Sequence, residues 1–193
     1  DSTIWVDSFG ELVECIAVFM HELAAQLELL FQVWVVWRER DAMDCTTTNA
    51  PAERKFTAKD YDSKLRPIWC PGCGDYGVLQ SLYRALASIN RPPHEIAFIS
   101  GIGCSSRIPG YTTAYGFNSV HGRALPIAQG VKLANPELLV LVAGGDGDGF
   151  SIGGGHVAHA IRRNCDLTYL VMDNQVYGLT KGQLSPTSPR GLE

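Results

Sequence analysis

The sequence has little excess charge, and its longest apolar region is interrupted by carboxylates. The formal net charge is -4 over 193 residues, which gives no electrostatic reason to expect nucleic acid or an anionic membrane as a partner. Residues 12–37 are rich in apolar side chains but contain Glu14, Glu22 and Glu28. A helix that spans a bilayer rarely holds three carboxylates, so we expect no membrane association.

A recognisable secretory signal is also lacking, although the six cysteines are an even number that disulfide bonds could use. With 193 residues and 46% hydrophobic composition, the chain can bury a sizeable core without cross-links. We therefore expect a cytoplasmic protein with reduced cysteines, some of which serve as metal ligands.

Composition divides the chain into three parts. Residues 1–42 carry an apolar stripe at heptad spacing and predict a helical extension. This extension is either a docking or coiled-coil helix or upstream sequence translated ahead of Met43. Residues 43–66 are polar and predict a linker or arm. Residues 67–193 form the predicted domain, which we expect to be truncated at its C-terminus because no strand or helix follows its last loop.

Apolar patterns in the predicted domain alternate between helices and strands. This alternation predicts βαβ units and a parallel sheet. We therefore expect an α/β fold with helices on both faces of the sheet. The predicted helices cover residues 75–89, 121–134 and 153–164, and the predicted strands cover residues 96–99, 138–143 and 167–172.

Two of these strands each deliver one oxygen ligand at the carboxyl end. Asp146 follows one strand, and Asn174 follows the next strand, twenty-eight positions later. Open parallel sheets bind ligands at this edge. The two side chains and a nearby carbonyl, expected to be that of Val176, suit a Mg²⁺ ion that binds a diphosphate.

Asp148 is an alternative to Asp146, because it also lies between two glycines. We favour Asp146, which follows the strand directly. Gly145 and Gly147 would let the backbone approach phosphate groups, and the helix that begins near Gly153 would point N–H groups at them. Taken alone, the motif can also be an ordinary turn between strand and helix.

Cys70 and Cys73 form a Cys-x-x-Cys turn before a predicted helix, and Cys104 follows thirty-one residues later in a glycine loop. Such a turn can be a redox pair, half a zinc site or half an iron–sulfur site. No predicted strand leads into it, which disfavours thioredoxin-type chemistry. The three thiols can converge on one metal or cluster, or they can be unrelated. We expect Cys165 to be a buried structural thiol.

Several other polar residues have both a functional and an ordinary interpretation. Arg107 can bind a substrate carboxylate bidentately or be a solvated surface residue. His121 can meet a diphosphate or a reacting carbonyl, or cap a turn. His156 and His159 lie three apart on a predicted helix and are expected to pack on the sheet or line a cavity rim. Lys181 can be a lid residue or a solvated charge.

Together these motifs resemble the β subunit of the 2-oxoacid:ferredoxin oxidoreductases. The similarity lies within residues 67–192. It implies a thiamine-diphosphate-binding fold that holds thiamine diphosphate, Mg²⁺ and one [4Fe–4S] cluster. The segments that carry the resemblance are residues 69–77, 100–111, 121–124, 144–156 and 172–188.

The resemblance also implies roles for individual residues. Arg107 would lie near the substrate carboxylate, and His121 near the cofactor. The implied cluster ligands are Cys70, Cys73 and Cys104, and the implied Mg²⁺ ligands are Asp146, Asn174 and the carbonyl of Val176. The other expected cofactor contacts are Gly103, Cys104, Ser105, Gly145, Gly147, Asp148, Gly178 and Leu179.

The implied reaction is the coenzyme A-dependent oxidative decarboxylation of a 2-oxoacid, with 2-oxoglutarate favoured over pyruvate. Electrons would leave singly through the cluster to ferredoxin, and the acyl group would pass to coenzyme A. The α subunit of the same enzyme would supply the glutamate that activates the thiamine ring.

Two features depart from the family pattern. The family's fourth cluster cysteine would lie beyond residue 193, and the first forty residues match nothing in the family. Three alternatives remain: a non-redox thiamine-diphosphate decarboxylase or synthase, a subunit fragment that is inactive alone, and a zinc-binding module.

Overall fold

A computed structural model describes residues 32–36 and 55–191 of the chain. Its main sheet consists of β1 (Gln32–Val36), β2 (Ile96–Ser100), β3 (Tyr115–Asn118), β4 (Leu139–Gly145) and β5 (Thr168–Asp173). The five strands lie in the order β1-β5-β4-β2-β3. Strands β2 to β5 are parallel to one another, and β1 is antiparallel to β5. The parallel strands place their carboxyl ends along one edge of the sheet.

The described residues contain four α-helices and one π-helical turn, besides short 3₁₀ turns. A π-helical turn covers Gly147–Ile152. A short antiparallel hairpin, β6 (Val176–Tyr177) and β7 (Gln183–Leu184), follows β5. None of the helices in the described ranges has the length and apolarity that crossing a membrane requires. The helices are α1 (Asp75–Ile89), α2 (Ile108–Tyr111), α3 (Ala124–Ala134) and α4 (Gly154–Arg163).

Helices cover both faces of the sheet, which confirms the predicted α/β architecture. Every residue of β2 and β5 is buried, as expected for parallel strands enclosed on both sides. Side chains alternate along each strand. On one face Leu141 lies in a cluster with Leu82 and Leu86 of α1. On the other face Val142 lies in a cluster with Ala128 of α3.

The predicted strands and helices are present, with differences at their ends. The helix predicted from residue 121 begins at Ala124, because Gly122 has a φ of 69° and cannot continue an α-helix. The strand β3 was not predicted. It has four residues, all exposed, and so lacks the buried apolar run that identifies the other parallel strands.

Strand β1 corrects the helix prediction for residues 32–36. This segment contains Val33, Val35 and Val36, whose β-branched side chains favour strands. Antiparallel pairing with β5 also satisfies backbone hydrogen bonds at the edge of that buried strand. The rest of the predicted extension and residues 43–54 of the predicted arm lie outside the described residues.

Residues 55–66 of the predicted arm pack against the domain. Tyr61 is fully buried, and its hydroxyl donates a hydrogen bond to the Arg91 carbonyl at 2.7 Å. The Phe56 N–H donates to Asn90 Oδ1, also at 2.7 Å. The packed part of the chain therefore begins before residue 67, where the sequence placed the domain boundary.

Candidate functional site

Two buried carboxylates lie at the carboxyl ends of β4 and β5. Asp146 follows β4 and is 1% exposed, whereas Asp173 ends β5 and is 6% exposed. The two strands are paired up to Gly145 of β4 and Met172 of β5, the residues directly before the two acids. The Thr187 hydroxyl lies between the acids, 2.7 Å from Asp146 Oδ2 and 2.9 Å from Asp173 Oδ1. We call these three residues, together with Asn174, the strand-end site.

The strand-end site holds more negative charge than one hydroxyl can compensate. A hydroxyl has one proton and can donate to only one of the two carboxylates at a time. The backbone N–H of Gln175 also donates to Asp173 Oδ1, at 2.9 Å. Two ionised carboxylates in contact with the same hydroxyl repel each other. A divalent cation would remove that repulsion, and carboxylate and amide oxygens are the donors that Mg²⁺ prefers.

Asn174 and Val176 lie next to the buried acids at the outer end of β5. Asn174 is exposed, and its Oδ1 accepts the Val176 N–H at 3.3 Å. This contact is long for a hydrogen bond, and it leaves the amide oxygen available to a cation. A Cβ added to Gly178 would lie 3.1 Å from Asn174 Nδ2 and 4.0 Å from Cys104 Sγ. The loop after β5 therefore contacts the loop after β2.

Asp148 has a different environment from Asp146. Its side chain is buried. Oδ1 accepts hydrogen bonds from Ile102 N at 3.0 Å and Gly122 N at 2.8 Å, and it lies 2.6 Å from His121 Nδ1. These contacts join the loops that follow β2, β3 and β4. Asp148 is thus held by protein donors, and Asp146 is the better candidate for a metal ligand.

The other predicted cofactor contacts lie on the loops around the strand-end site. Ser105 is buried, and its hydroxyl would lie 3.4 Å from a Cβ added to Gly145. The Tyr177 hydroxyl donates to the Gly147 carbonyl at 3.1 Å. Gly103 lies on the loop after β2, and Leu179, which is 50% exposed, lies on the turn between β6 and β7.

The helix that follows Asp146 begins within one residue of its predicted start, but an unpredicted turn precedes it. Helix α4 begins at Gly154, and the π-helical turn separates it from β4. The backbone N–H groups closest in sequence to Asp146 therefore belong to this turn. A wide turn of this kind is often found at functional sites.

Cys70, Cys73 and Cys104, which we call the cysteine site, lie on two loops. Cys70 is exposed, whereas Cys73 and Cys104 are partly buried. The Cys73 N–H donates to the Cys70 carbonyl at 3.1 Å and closes the turn before α1. Trp69 Nε1 donates to the Cys104 carbonyl at 2.7 Å and joins the two loops.

Burial dominates the electrostatics of the cysteine site. It raises the pKa of both the Cys73 and the Cys104 thiols. It also raises the pKa of the neighbouring Asp75 to about 6, against a smaller opposing effect of a hydrogen bond to Cys73. Thiols suit iron–sulfur ligation, but within residues 55–191 no three His, Cys, Asp or Glu side chains have the arrangement of a metal site.

The remaining candidates lie at the edges of these sites or away from them. Arg107 is exposed at the end of a 3₁₀ turn, and its charge lowers the pKa of Cys104 against the larger effect of burial. His156 and His159 lie on α4, and Lys181 is exposed. Cys165 is partly buried beside an apolar cavity.

Sequence reasoning missed Asp173 and Thr187. Asp173 has the same relation to β5 that Asp146 has to β4, so its position in the sequence was a usable signal. Thr187 has no such signal, because only the path of the chain after β7 brings its hydroxyl to the two acids. The contact between Asp148 and His121 likewise depends on how two loops pack.

Comparison with known proteins agrees with this geometry. The family described as "Thiamine pyrophosphate enzyme, C-terminal TPP binding domain" matches residues 101–192. Subunit beta of 2-oxoacid:ferredoxin oxidoreductase 2 from Aeropyrum pernix is 54% identical over 130 residues, which are 67% of this chain and 42% of the relative. The 2-oxoglutarate oxidoreductase subunit KorB from Mycobacterium tuberculosis is 51% identical over 145 residues, or 75% of this chain and 38% of the relative.

A solved structure has the same fold over the matched region. It is the 2-oxoglutarate:ferredoxin oxidoreductase from Magnetococcus marinus with 2-oxoglutarate, coenzyme A and succinyl-CoA bound. The TM-score is 0.69 and the sequence identity 52%, over 71% of this chain and 47% of that chain. This chain thus spans less than half the length of these relatives. In its matched residues the chain is similar to 2-oxoacid:ferredoxin oxidoreductase β subunits, and residues 101–192 match a thiamine-pyrophosphate-binding domain.

Proposed function

We propose that this chain is part of the thiamine-diphosphate-binding β subunit of a cytoplasmic 2-oxoacid:ferredoxin oxidoreductase. The complete enzyme would carry out coenzyme A-dependent oxidative decarboxylation of a 2-oxoacid, with 2-oxoglutarate favoured over pyruvate. The observation that carries the proposal is the pair of buried carboxylates at neighbouring strand ends. A divalent cation would relieve the repulsion between two buried carboxylates, and the cation of this family is expected to bind a diphosphate.

Asp146, Asn174 and the carbonyl of Val176 would hold Mg²⁺. Asp146 is buried and accepts one hydrogen bond from Thr187, so its carboxylate is fixed in position before a metal binds. Asp173 would keep its contacts with Thr187 and with a backbone N–H, and would add negative charge beside the metal. The diphosphate and water would occupy the remaining coordination positions.

Two residues of this chain would act on the substrate side. When bound, thiamine diphosphate supplies an electron sink for decarboxylation. Arg107 is exposed close to Cys104 and would bind the substrate carboxylate through two N–H groups. His121 would hold a proton, or accept a hydrogen bond, at the ring nitrogen that faces away from Asp148. The names of the Mycobacterium tuberculosis and Magnetococcus marinus relatives support 2-oxoglutarate as the substrate.

The cysteine site would hold three corners of a [4Fe–4S] cluster that passes electrons to ferredoxin. Cys70, Cys73 and Cys104 supply thiols on adjacent loops, and a fourth ligand would come from outside the described residues. An α subunit would complete the enzyme, as the β-subunit names of the relatives suggest. The four cysteines described between residues 55 and 191 carry free thiols, which suits a reducing compartment.

The proposal is tested by a calorimetric titration of the full-length complex with thiamine diphosphate, with and without Mg²⁺. We expect Asp146→Asn, which keeps the side-chain volume, to weaken Mg²⁺-dependent binding by about 100-fold or more, because losing even an outer partner of a metal ligand costs about 10–100-fold. Asp62→Asn is the matched control, since Asp62 lies on the arm and pairs with Lys64. Wild-type affinity in Asp146→Asn would contradict the ligand assignment.

Substrate choice needs a separate measurement. The wild-type complex is assayed for reduction of a dye acceptor with 2-oxoglutarate and with pyruvate, each in the presence of coenzyme A. Faster reduction with 2-oxoglutarate supports the favoured substrate. The opposite order would reassign the substrate without affecting the diphosphate site.

A further inference from the structure

We propose that Asp148 is a positioning residue that holds His121 as the tautomer protonated at Nδ1, so that Nε2 is presented unprotonated. The inference deepens the proposed function, because it assumes that the imidazole faces a bound cofactor or substrate. It rests on a cluster of three donors around one carboxylate oxygen, Asp148 Oδ1. Asp148 itself would touch neither cofactor nor substrate.

The three donors come from loops at adjacent strand ends. Ile102 N lies on the loop after β2 and is 3.0 Å from Asp148 Oδ1. Gly122 N, at 2.8 Å, and His121 Nδ1, at 2.6 Å, lie on the loop after β3. Asp148 lies in the π-helical turn after β4. One buried oxygen therefore joins three of the loops that form the binding edge of the sheet.

These contacts determine which of the two residues, Asp148 or His121, carries the hydrogen in the contact between them. Oδ1 already accepts two backbone N–H groups, whose hydrogens are fixed by the peptide geometry. An ionised carboxylate is only an acceptor, so the hydrogen in the 2.6 Å contact belongs to Nδ1. In the neutral ring the other nitrogen, Nε2, then has a free lone pair, because the hydrogen bond at one nitrogen sets the state of the other.

Close packing prevents the Asp148 side chain from moving away. A Cβ added to Gly101 would lie 1.9 Å from Asp148 Oδ2, so the carboxylate lies directly against the backbone there. Gly122 has a φ of 69°, and a Cβ on it would lie 2.5 Å from Gly153 N. The loop that carries His121 is therefore pressed against the end of the π-helical turn. Neither contact leaves room for a side chain.

The environment of the imidazole differs at its two ends. Asp148 is buried, whereas the His121 side chain is 38% exposed. The ring of Tyr177 lies edge-on to the imidazole, with 6.1 Å between the ring centroids. Tyr177 is also next to Val176, a proposed Mg²⁺ ligand. The Nδ1 end of His121 thus contacts a buried carboxylate, and its ring lies beside Tyr177, the neighbour of Val176 in the chain.

The chemical consequence is a change in what His121 can do. With Nδ1 protonated, the neutral ring can accept a hydrogen bond or a proton at Nε2. In the other tautomer Nε2 would donate, and Nδ1 would face a carboxylate with no hydrogen between them. Asp148 thereby makes His121 an acceptor towards the ligand.

The test is ¹⁵N NMR of the full-length enzyme complex labelled at histidine, recorded without added cofactor at a pH where the ring is neutral. The His121 signals are identified by their loss in His121→Gln. We expect Nδ1 to be protonated and Nε2 unprotonated in the wild type. A wild-type ring protonated at Nε2 would overturn the proposal, and this measurement needs no Asp148 variant to fold.

A variant then tests whether Asp148 is the cause. Asp148→Asn keeps an acceptor for the two backbone N–H groups but removes the charge. Because charge-assisted hydrogen bonds are about twice as strong as neutral ones, we expect the ratio of Nδ1-protonated to Nε2-protonated ring to fall roughly fivefold. Asp62→Asn should leave the ratio unchanged. An unchanged ratio in Asp148→Asn would overturn the proposal.

The readout separates this proposal from the proposed function. The tautomer is measured without thiamine diphosphate, so it does not depend on cofactor binding. If His121 has the expected tautomer but the titration with thiamine diphosphate and Mg²⁺ fails, only the proposed function is wrong. If the cofactor binds and the tautomer is the opposite one, only the positioning role of Asp148 is wrong.

Discussion

The strand-end site and the cysteine site lie on loops that touch, yet they are organised differently. In the strand-end site, Asp146 and Asp173 are fully or nearly buried and share the hydroxyl of Thr187. In the cysteine site, Cys70 is exposed and only Cys73 and Cys104 are partly buried. The acids of the strand-end site share a hydroxyl, whereas the thiols of the cysteine site do not have, in the described part of the chain, the arrangement of a metal centre.

The difference follows from the elements that carry the residues. The register between β4 and β5 fixes where both strands end, and the helices on either face prevent the strands from moving. The cysteines lie on a turn and a loop that one side-chain hydrogen bond, from Trp69 to the Cys104 carbonyl, connects directly. Sites on strands are more precise than sites on loops, so a bound cluster would have to order the cysteine site itself.

The largest effect is expected from Gly101→Ala, on the loop after β2 that also carries Cys104. The new Cβ would lie 1.9 Å from Asp148 Oδ2, and Asp148 cannot move without losing its backbone partners, Ile102 N and Gly122 N. Each buried N–H left without an acceptor costs about 1–3 kcal/mol. We expect a large fall in the melting temperature of the complex and loss of thiamine diphosphate binding.

Gly130→Ala is the control for this prediction. Gly130 lies within α3, and a Cβ added there would meet no described atom within 4 Å apart from the neighbouring residues and the backbone of the helix itself. Alanine in the interior of a helix is expected to be neutral or to stabilise by about 0.5–1 kcal/mol. Equal melting temperatures for the two variants would show that the packing around Asp148 is not as tight as the distances indicate.

The parallel sheet could be predicted from the sequence because its strands are buried on both faces. Such strands are continuous apolar runs, as in β4 and β5, and the helices between them have one apolar face. Strand β3 could not be predicted, since it is short and exposed. The pairing of residues 32–36 with β5 depends on an open sheet edge, which no local pattern reveals.

The candidate site was predictable only in part, because a local sequence pattern locates some of its residues and loop packing brings the others together. Asp146 and Asn174 lie at strand ends, so the strand pattern itself locates them. The contacts of Thr187 with Asp146 and Asp173 join residues 41 and 14 positions apart, and the contact of Asp148 with His121 joins residues 27 positions apart. Contacts of this kind depend on loop packing, which the periodicity of a sequence does not encode.

The next largest effect concerns the cysteine site alone. We expect Cys73→Ser to remove most of the iron and the visible absorption of the purified complex, because a thiolate ligand is lost. Binding of thiamine diphosphate with Mg²⁺ should be unchanged, since Asp146 and Asp173 are held by the sheet. Iron analysis and calorimetry on the same sample measure both effects.

Cys165→Ser is the matched control, because Cys165 lies beside an apolar cavity at the end of α4. It should retain its iron. Equal iron loss in both variants would mean that Cys73 acts through general stability rather than as a ligand. A parallel loss of cofactor binding in Cys73→Ser would show that the two sites are not independently organised.

The smallest effect is expected from Thr187→Val in the strand-end site. Valine keeps the shape of threonine but removes the hydroxyl between Asp146 and Asp173. Since a hydrogen bond to a charged group contributes about 1.5–3 kcal/mol, the metal-free complex should be destabilised by about that amount. Saturating Mg²⁺ should offset much of the loss, because the cation compensates the same two carboxylates.

Thermal unfolding with and without Mg²⁺ measures this difference, and Thr187→Ser, which keeps the hydroxyl, is the control. We expect Thr187→Ser to unfold close to the wild type in both conditions. If Thr187→Val loses the same stability in the presence and absence of Mg²⁺, the cation does not bind beside Asp146 and Asp173. The strand-end site would then be a hydrogen-bond cluster with a structural role. It would differ from the cysteine site only in how deeply its side chains are buried.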